Sequence, residues 1–156
     1  MIKTNAVRLL TAAGLPFKVL EYSVADGRVD AMSIAEKTGE APDQTFKTLV
    51  TETPQKEYFV FVIPAPSVLD LKKAAAAAKV KNLDMIPQKE LFPLTGYVHG
   101  GCSPIGMKRS FPTFIDETAI LFDHINFSGG HLGVMISMEP ESACRFIGAV
   151  FADLTR

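Results

Sequence analysis

The chain has no tryptophan, two cysteines, three histidines and three tyrosines in 156 residues. Each shortage excludes something. Cys102 and Cys144 lie far apart and form no CxxC pair, so neither a disulfide framework nor a structural zinc site is expected, and a reducing cytoplasm fits. His99, His124 and His131 make no HxH, HExxH or HxxxH spacing, which removes the usual signatures of metal catalysis. An excess of either charge is missing as well. Sixteen Lys and Arg stand against seventeen Asp and Glu, so the net charge is −1 and any nucleic-acid contact must come from a local patch. Long hydrophobic runs are also missing: Tyr58 to Ala65 is far too short to cross a bilayer and contains Pro64. Arg8 interrupts any apolar run at the amino terminus, which does not read as a signal peptide. The expectation is a soluble cytoplasmic protein with no membrane, metal or cofactor.

What is present is ordinary globular material. Hydrophobic residues make up 47% and charged ones 21%, and the length suits one domain over residues 1–156 with a real core. Thr4 to Ala13 reads as a helix with Thr4 as N-cap, Val7, Leu10 and Ala13 at helical spacing, and Gly14 as its stop. Phe17 to Tyr22 reads as a strand, Ala31 to Lys37 as a second helix with an incomplete apolar face of Met32, Ile34 and Ala35, and Pro42 to Val50 as a turn entering a strand. Glu57 to Ile63 is the strongest strand, aromatic and β-branched throughout, as expected of a central strand buried on both faces. Five alanines, Ala74 to Ala78, continue a helix begun at about Leu69. After it come a short strand, Leu83 to Ile86, and a small helix, Gln88 to Phe92. Strands at Thr113–Asp116, Leu121–Phe127 and Gly133–Met138 follow, then a helix over Pro140–Ile147 and an apolar tail. Without regular βαβ alternation, the class is α+β.

One stretch stands apart. Thr95 to Asp116 gathers Gly96, Gly100, Gly101 and Gly106 with Pro104 and Pro112, followed by Met107-Lys108-Arg109. Such a segment serves equally as a tight hairpin with a solvated basic tip or as a loop whose backbone N–H groups face an anion. Gly101 and Gly106 have P-loop spacing, but Met107 stands where that motif needs lysine and Pro104 removes a donor, so a P-loop is excluded. Neither Ser103 nor Ser128 sits in GxSxG, and Cys102 reads as a small buried filler. Asp116 and Glu117 are adjacent and point apart. Lys47 is an edge lysine or a charge aimed at a phosphate, and Tyr22 is core filler or a substrate platform. The remaining inventory is two glycine pairs, Gly100-Gly101 and Gly129-Gly130, with Lys47 and Tyr22. It suits stabilisation of an anion by backbone better than catalysis by side chains.

Five pieces in order resemble the YbaK/EbsC family, free-standing relatives of the editing insertion domain of bacterial prolyl-tRNA synthetase. They are Pro42-Asp43-Gln44 with Phe46-Lys47-Thr48-Leu49; Leu69-Asp70-Leu71-Lys72-Lys73; Thr95-Gly96-Tyr97-Val98 with Gly100-Gly101, Ser103-Pro104 and Gly106; Ile115-Asp116; and Ser128-Gly129-Gly130. The resemblance spans nearly the whole chain. It implies a curved, partly barrel-like mixed sheet flanked by short helices, and a trans-editing deacylase acting on Cys-tRNA(Pro). In that scheme the substrate's own thiol attacks its ester and backbone N–H groups steady the oxyanion. The resemblance further implies Lys47 and Gly101 as catalytic. It implies Tyr22, Thr48, Gly100, Ser128, Gly129 and Gly130 as substrate-binding, the last three forming a turn. Lys108 and Arg109 become candidate tRNA contacts. The implied partners are the tRNA(Pro) 3′ end and prolyl-tRNA synthetase. Some cysteinyl-specific relatives carry an acidic residue shortly after Ser-Gly-Gly, where this chain has Val134-Met135. That departure keeps open a deacylase for Ala-tRNA(Pro) or another small aminoacyl-tRNA. A noncatalytic module binding tRNA acceptor ends or a synthetase is the alternative of another class.

Overall fold

The computed structural model describes residues 3–156; Met1 and Ile2, which open the amino-terminal stretch read above, lie outside it. Helix α1 spans Asn5–Ala12, capped by the Thr4 hydroxyl, which accepts from the Val7 N–H. It buries Ala6, Val7 and Leu10, whereas Ala13 is exposed because it sits at the C-cap, past the last inward turn. Strand β1 is Lys18–Glu21 and α2 is Ala31–Thr38, capped by Asp30 and ended by Gly39 in the left-handed conformation. Met32 points away from the core and is 45% exposed, so the buried face of α2 is Ser33, Ile34 and Ala35. A 3-10 turn over Pro42–Gln44 leads into β2, Phe46–Glu52.

The hairpin partner of β2 is β3, Tyr58–Pro64. Beyond it come α3 (Leu71–Ala78), β4 (Asp84–Met85), α4 (Leu91–Thr95), β5 (Thr113–Asp116), β6 (Ile125–His131), β7 (Val134–Met138), α5 (Pro140–Ile147) and β8 (Val150–Ala152). Sequence patterning ends the small helix at Phe92, but it continues to Thr95, where Gly96 at φ 81° terminates it. The strand expected over Leu121–Phe127 begins only at Ile125 and runs on to His131, because Leu121 still belongs to a 3-10 turn, Glu117–Leu121, capped by the Asp116 carboxylate, which accepts from the Thr118 N–H. The apolar tail supplies β8, which runs parallel to β5.

The strands form two sheets, β4-β2-β3-β5-β8 and β1-β7-β6. As the run of apolar residues predicts, β3 is central, and Val60, Phe61, Val62 and Ile63 are all buried. Its alternation feeds two cores. Val60 and Val62 face one shared with α1, β6, β7 and α5. Phe61 and Ile63 face another with α3 and Leu154, where Phe61 stacks on Phe114 at 5.4 Å. Each such side chain contributes about 1.5–3 kcal/mol on burial. A parallel bridge between Thr45 and Asn126 joins the two sheets at the entrance to β2.

Candidate functional site

The site forms at that junction. The short strand β4 pairs only with Thr51 and Glu52. The Phe46–Leu49 half of β2 is therefore an edge, and side chains from both of its faces reach a cavity of about 190 Å³. The N-terminal turn of α2 supplies Asp30, Ala31 and Ile34 to the wall, with Val29 before it. The glycine-rich loop supplies His99, Gly100 and Cys102, while Ser128 and Met135 come from β6 and β7, and Tyr22 follows β1. The lining is mostly apolar, with a few polar groups converging, as in a small-molecule pocket. Its volume is below the roughly 300–1,000 Å³ typical of drug-sized ligands and suits a small acyl group.

Five of the expected residues meet here: Tyr22, Lys47, Thr48, Gly100 and Ser128. Lys47 is half-buried, its Nζ donates to the Ala65 carbonyl at 3.0 Å, and burial holds its ammonium below the usual lysine range. The Tyr22 and Thr48 hydroxyls are buried and have no hydrogen-bond partner among the described residues. Burial raises the Tyr22 phenol, which therefore stays protonated as a donor. An unpaired buried hydroxyl costs about 1–3 kcal/mol, a penalty that a polar ligand removes.

Gly101, Gly129 and Gly130 stand behind this wall. The Gly101 N–H donates to the Val98 carbonyl at 2.9 Å, so it is already engaged. A Cβ at Gly101 would lie 3.2 Å from the Leu132 backbone nitrogen, and one at Gly129 would lie 2.6 Å from Val134 Cγ1. Gly130, at φ +93°, has the Tyr97 ring 2.9 Å from its would-be Cβ. Ser128-Gly129-Gly130 is not a turn but part of β6, with a register shift between Ser128 and His131. These glycines allow close approach of backbone and ring, and two of them are spent on packing the strand that carries Ser128. Gly100 is different. It combines φ +85° with a place on the cavity wall, and a Cβ there would meet Val29 Cγ2 at 2.7 Å. The N–H groups of Gly100 and Cys102 have no partner among the described residues.

The rest of the glycine-rich stretch is not a hairpin, although Lys108 and Arg109 at its end are exposed. Cys102, Ser103 and Ile105 are buried, and Ser103 Oγ accepts from the Ile105 N–H. Arg109 lies over the rings of Tyr58 and Phe111, at 5.9 and 5.2 Å from their centres, and lines a separate cavity. The Cys102 thiol is pushed up to about 12, mainly by burial, and so stays neutral. His99 is exposed on the cavity rim and has no hydrogen-bond partner among the described residues. Among those residues no group of three or more His, Cys, Asp or Glu is placed to hold a metal ion. The sequence did not single out Asp30, Ile34 or His99 for this wall; of Val134-Met135, where the family resemblance departs from acidic relatives, Met135 is the residue that lines it. Asp30 also caps α2, since its carboxylate accepts from the Ser33 N–H.

A family model for the aminoacyl-tRNA editing domain matches residues 27–146, which include all but Tyr22 of the cavity wall described above. An Enterococcus faecalis protein provisionally named Cys-tRNA(Pro)/Cys-tRNA(Cys) deacylase EbsC is 40% identical over 153 residues, covering 98% of this chain and 93% of its own. A solved structure provisionally described as a trans-editing enzyme for prolyl tRNA synthetase aligns over 100% of this chain and 99% of its own. Its TM-score is 0.85 at 24% identity. A hypothetical protein of known structure aligns over 98% and 100% with a TM-score of 0.89 at 21% identity. The two structures establish the α+β fold. The match over most of the sequence and the close relative together place the chain in the aminoacyl-tRNA editing domain family, and it is an enzyme that deacylates aminoacyl-tRNA.

Proposed function

We propose that the enzyme removes cysteine from Cys-tRNA(Pro) and that the substrate's own thiol performs the attack. The observation that carries this reading is a small pocket with unpaired hydroxyls and backbone donors but no activated nucleophile. Its one thiol is held neutral, and among the described residues no carboxylate is hydrogen-bonded to its one histidine. Deprotonated, the substrate sulfur attacks its own ester carbonyl carbon, forming a C–S bond and a tetrahedral oxyanion. Collapse breaks the bond from that carbon to O3′ of the terminal ribose. The electron pair leaves on O3′, which takes a proton from solvent to replace the one the thiol gave up. The products are tRNA with a free 3′-hydroxyl and a cyclic thiolactone, which water then opens.

The protein's work is positioning and charge stabilisation. The free N–H groups of Gly100 and Cys102 suit the oxyanion, with Gly101 between them fixing the loop through its bond to Val98. Lys47 suits the terminal phosphate or ribose, and the Tyr22, Thr48 and Ser128 hydroxyls suit the polar atoms of the aminoacyl group. Gly129 and Gly130 support Ser128 from behind. A near-neutral surface supports weak contact with the body of tRNA(Pro), strengthened by partnership with prolyl-tRNA synthetase.

A second reading has one observation in its favour. The walls from Ile34, Leu49 and Met135 are apolar, and Val134-Met135 stands about where some cysteinyl-specific relatives are acidic, so a methyl side chain would also be accepted. Deacylation of Cys-tRNA(Pro), Ala-tRNA(Pro) and Pro-tRNA(Pro) separates the readings. Release of cysteine well above the other two supports the proposal. Faster release of alanine moves the substrate to Ala-tRNA(Pro), and no release above buffer leaves only a binding module.

A further inference from the structure

The segment Ser23–Arg28 connects two parts of the pocket wall, Tyr22 on one side and Val29 with Asp30 on the other. All six of its residues are exposed, so no apolar burial holds it. Yet its placement matters, because Val29 packs so closely on Gly100 that a Cβ there would have no room. The shortest of its ties to α2 all come from one ammonium group. Lys37, in the last turn of α2, directs its Nζ at the Ser23 carbonyl (2.9 Å), Asp26 Oδ1 (2.7 Å) and the Arg28 carbonyl (2.7 Å). An ammonium has three donors, and here all three find acceptors spread across the segment. The Lys37 side chain is only 19% exposed, against 61% for Lys56 and 40% for Lys73. Arg28 adds a weaker tie back to α2 through Ser33 Oγ at 3.3 Å and Glu36 at 3.5 Å.

We propose that Lys37 is a positioning residue of the deacylase: it straps the Ser23–Arg28 segment to α2 and so sets the Val29 and Tyr22 walls against Gly100. The assignment rests on the pocket being the aminoacyl site. The strap acts on the geometry of the acyl group rather than on tRNA capture. Losing it lowers kcat/KM about tenfold or more, because a misplacement of about 1 Å at a reacting centre costs up to about 100-fold. No chemistry is asked of the lysine itself.

Lys37→Met keeps the aliphatic stem and removes the donors. Three measurements on the full chain test it: kcat and KM on Cys-tRNA(Pro), amide hydrogen exchange over residues 22–30, and affinity for a cysteinyl-adenosine with an amide in place of the ester. The expected result is faster exchange confined to 22–30, analogue affinity weakened about tenfold, and a loss in kcat/KM of at least that factor with little change in melting temperature. Asp26→Asn, which leaves both carbonyl acceptors in place, should show a smaller effect of the same pattern. Unchanged exchange over 22–30, or altered exchange with unchanged kcat/KM and analogue affinity, overturns the proposal. If the wild type releases no cysteine, the substrate reading fails separately, and the exchange and analogue measurements still decide the strap.

Discussion

Lys47 illustrates how one side chain can be legible in part. Its position at the start of a strand was compatible with a snorkelling edge lysine or with a charge aimed at a phosphate. The structure makes it half-buried on the free edge of β2, with one of its three donors on the Ala65 carbonyl and the others available in the cavity. Lys47→Ala should lower kcat/KM about 100-fold, in line with loss of a charge-assisted contact made in the transition state. The fold should change little, because one hydrogen bond to a carbonyl contributes only about 0.5–1.5 kcal/mol. Near-wild-type turnover in the deacylation assay would remove Lys47 from the mechanism. Cys102 gives the opposite expectation. Its buried neutral thiol fills space, so Cys102→Ser should keep activity within about threefold, as a side chain that only packs would. A loss of orders of magnitude, measured on the same substrate, would make the thiol a participant.

At the scale of elements, sequence patterning located α1, α2, β3, β5, β7 and α5 closely, because their apolar periods and caps are local. It failed where a distant partner decides. The tail becomes β8 only because β5 offers a parallel edge, and Ser128-Gly129-Gly130 is strand rather than turn because Val134 across the ladder needs the space a Cβ would fill. The seam between the sheets was invisible for the same reason. There the Asn126 amide donates to Glu40 Oε1 at 2.7 Å and the His124 ring lies 3.0 Å from the same oxygen. This ties the end of α2 to β6. His124 first, then Asn126, holds the Glu40 carboxyl below its usual range. A depressed carboxyl contributes stability that is fully present above its unfolded value, near 4.5, and lost as pH falls through the folded value. Glu40→Gln should therefore be about 1 kcal/mol less stable than wild type at pH 7 in urea titration, with the gap closing under acid. An equal gap at both pH values would mean that the carboxylate charge is not what binds the seam.

The whole molecule puts a small, mostly apolar cavity where two sheets meet, and among the described residues its few titratable side chains form no nucleophile–base pair. The sequence carried the ingredients, Lys47, Tyr22 and the glycine pairs, but not their division of labour. Only the packing around each missing Cβ separates Gly100, on the wall, from Gly101, Gly129 and Gly130 behind it. A site built this way leaves the reaction to the substrate, and the central claim is that the substrate's sulfur performs it. Comparing the single-turnover rates of Cys-tRNA(Pro) and Ser-tRNA(Pro), which differ by one atom, tests that claim most directly. The thiol substrate should react at least about 100-fold faster, with a rate rising as pH approaches the thiol's ordinary value of about 8.5. Rates within about fivefold of each other would mean that water, not sulfur, attacks the ester, and would contradict the account.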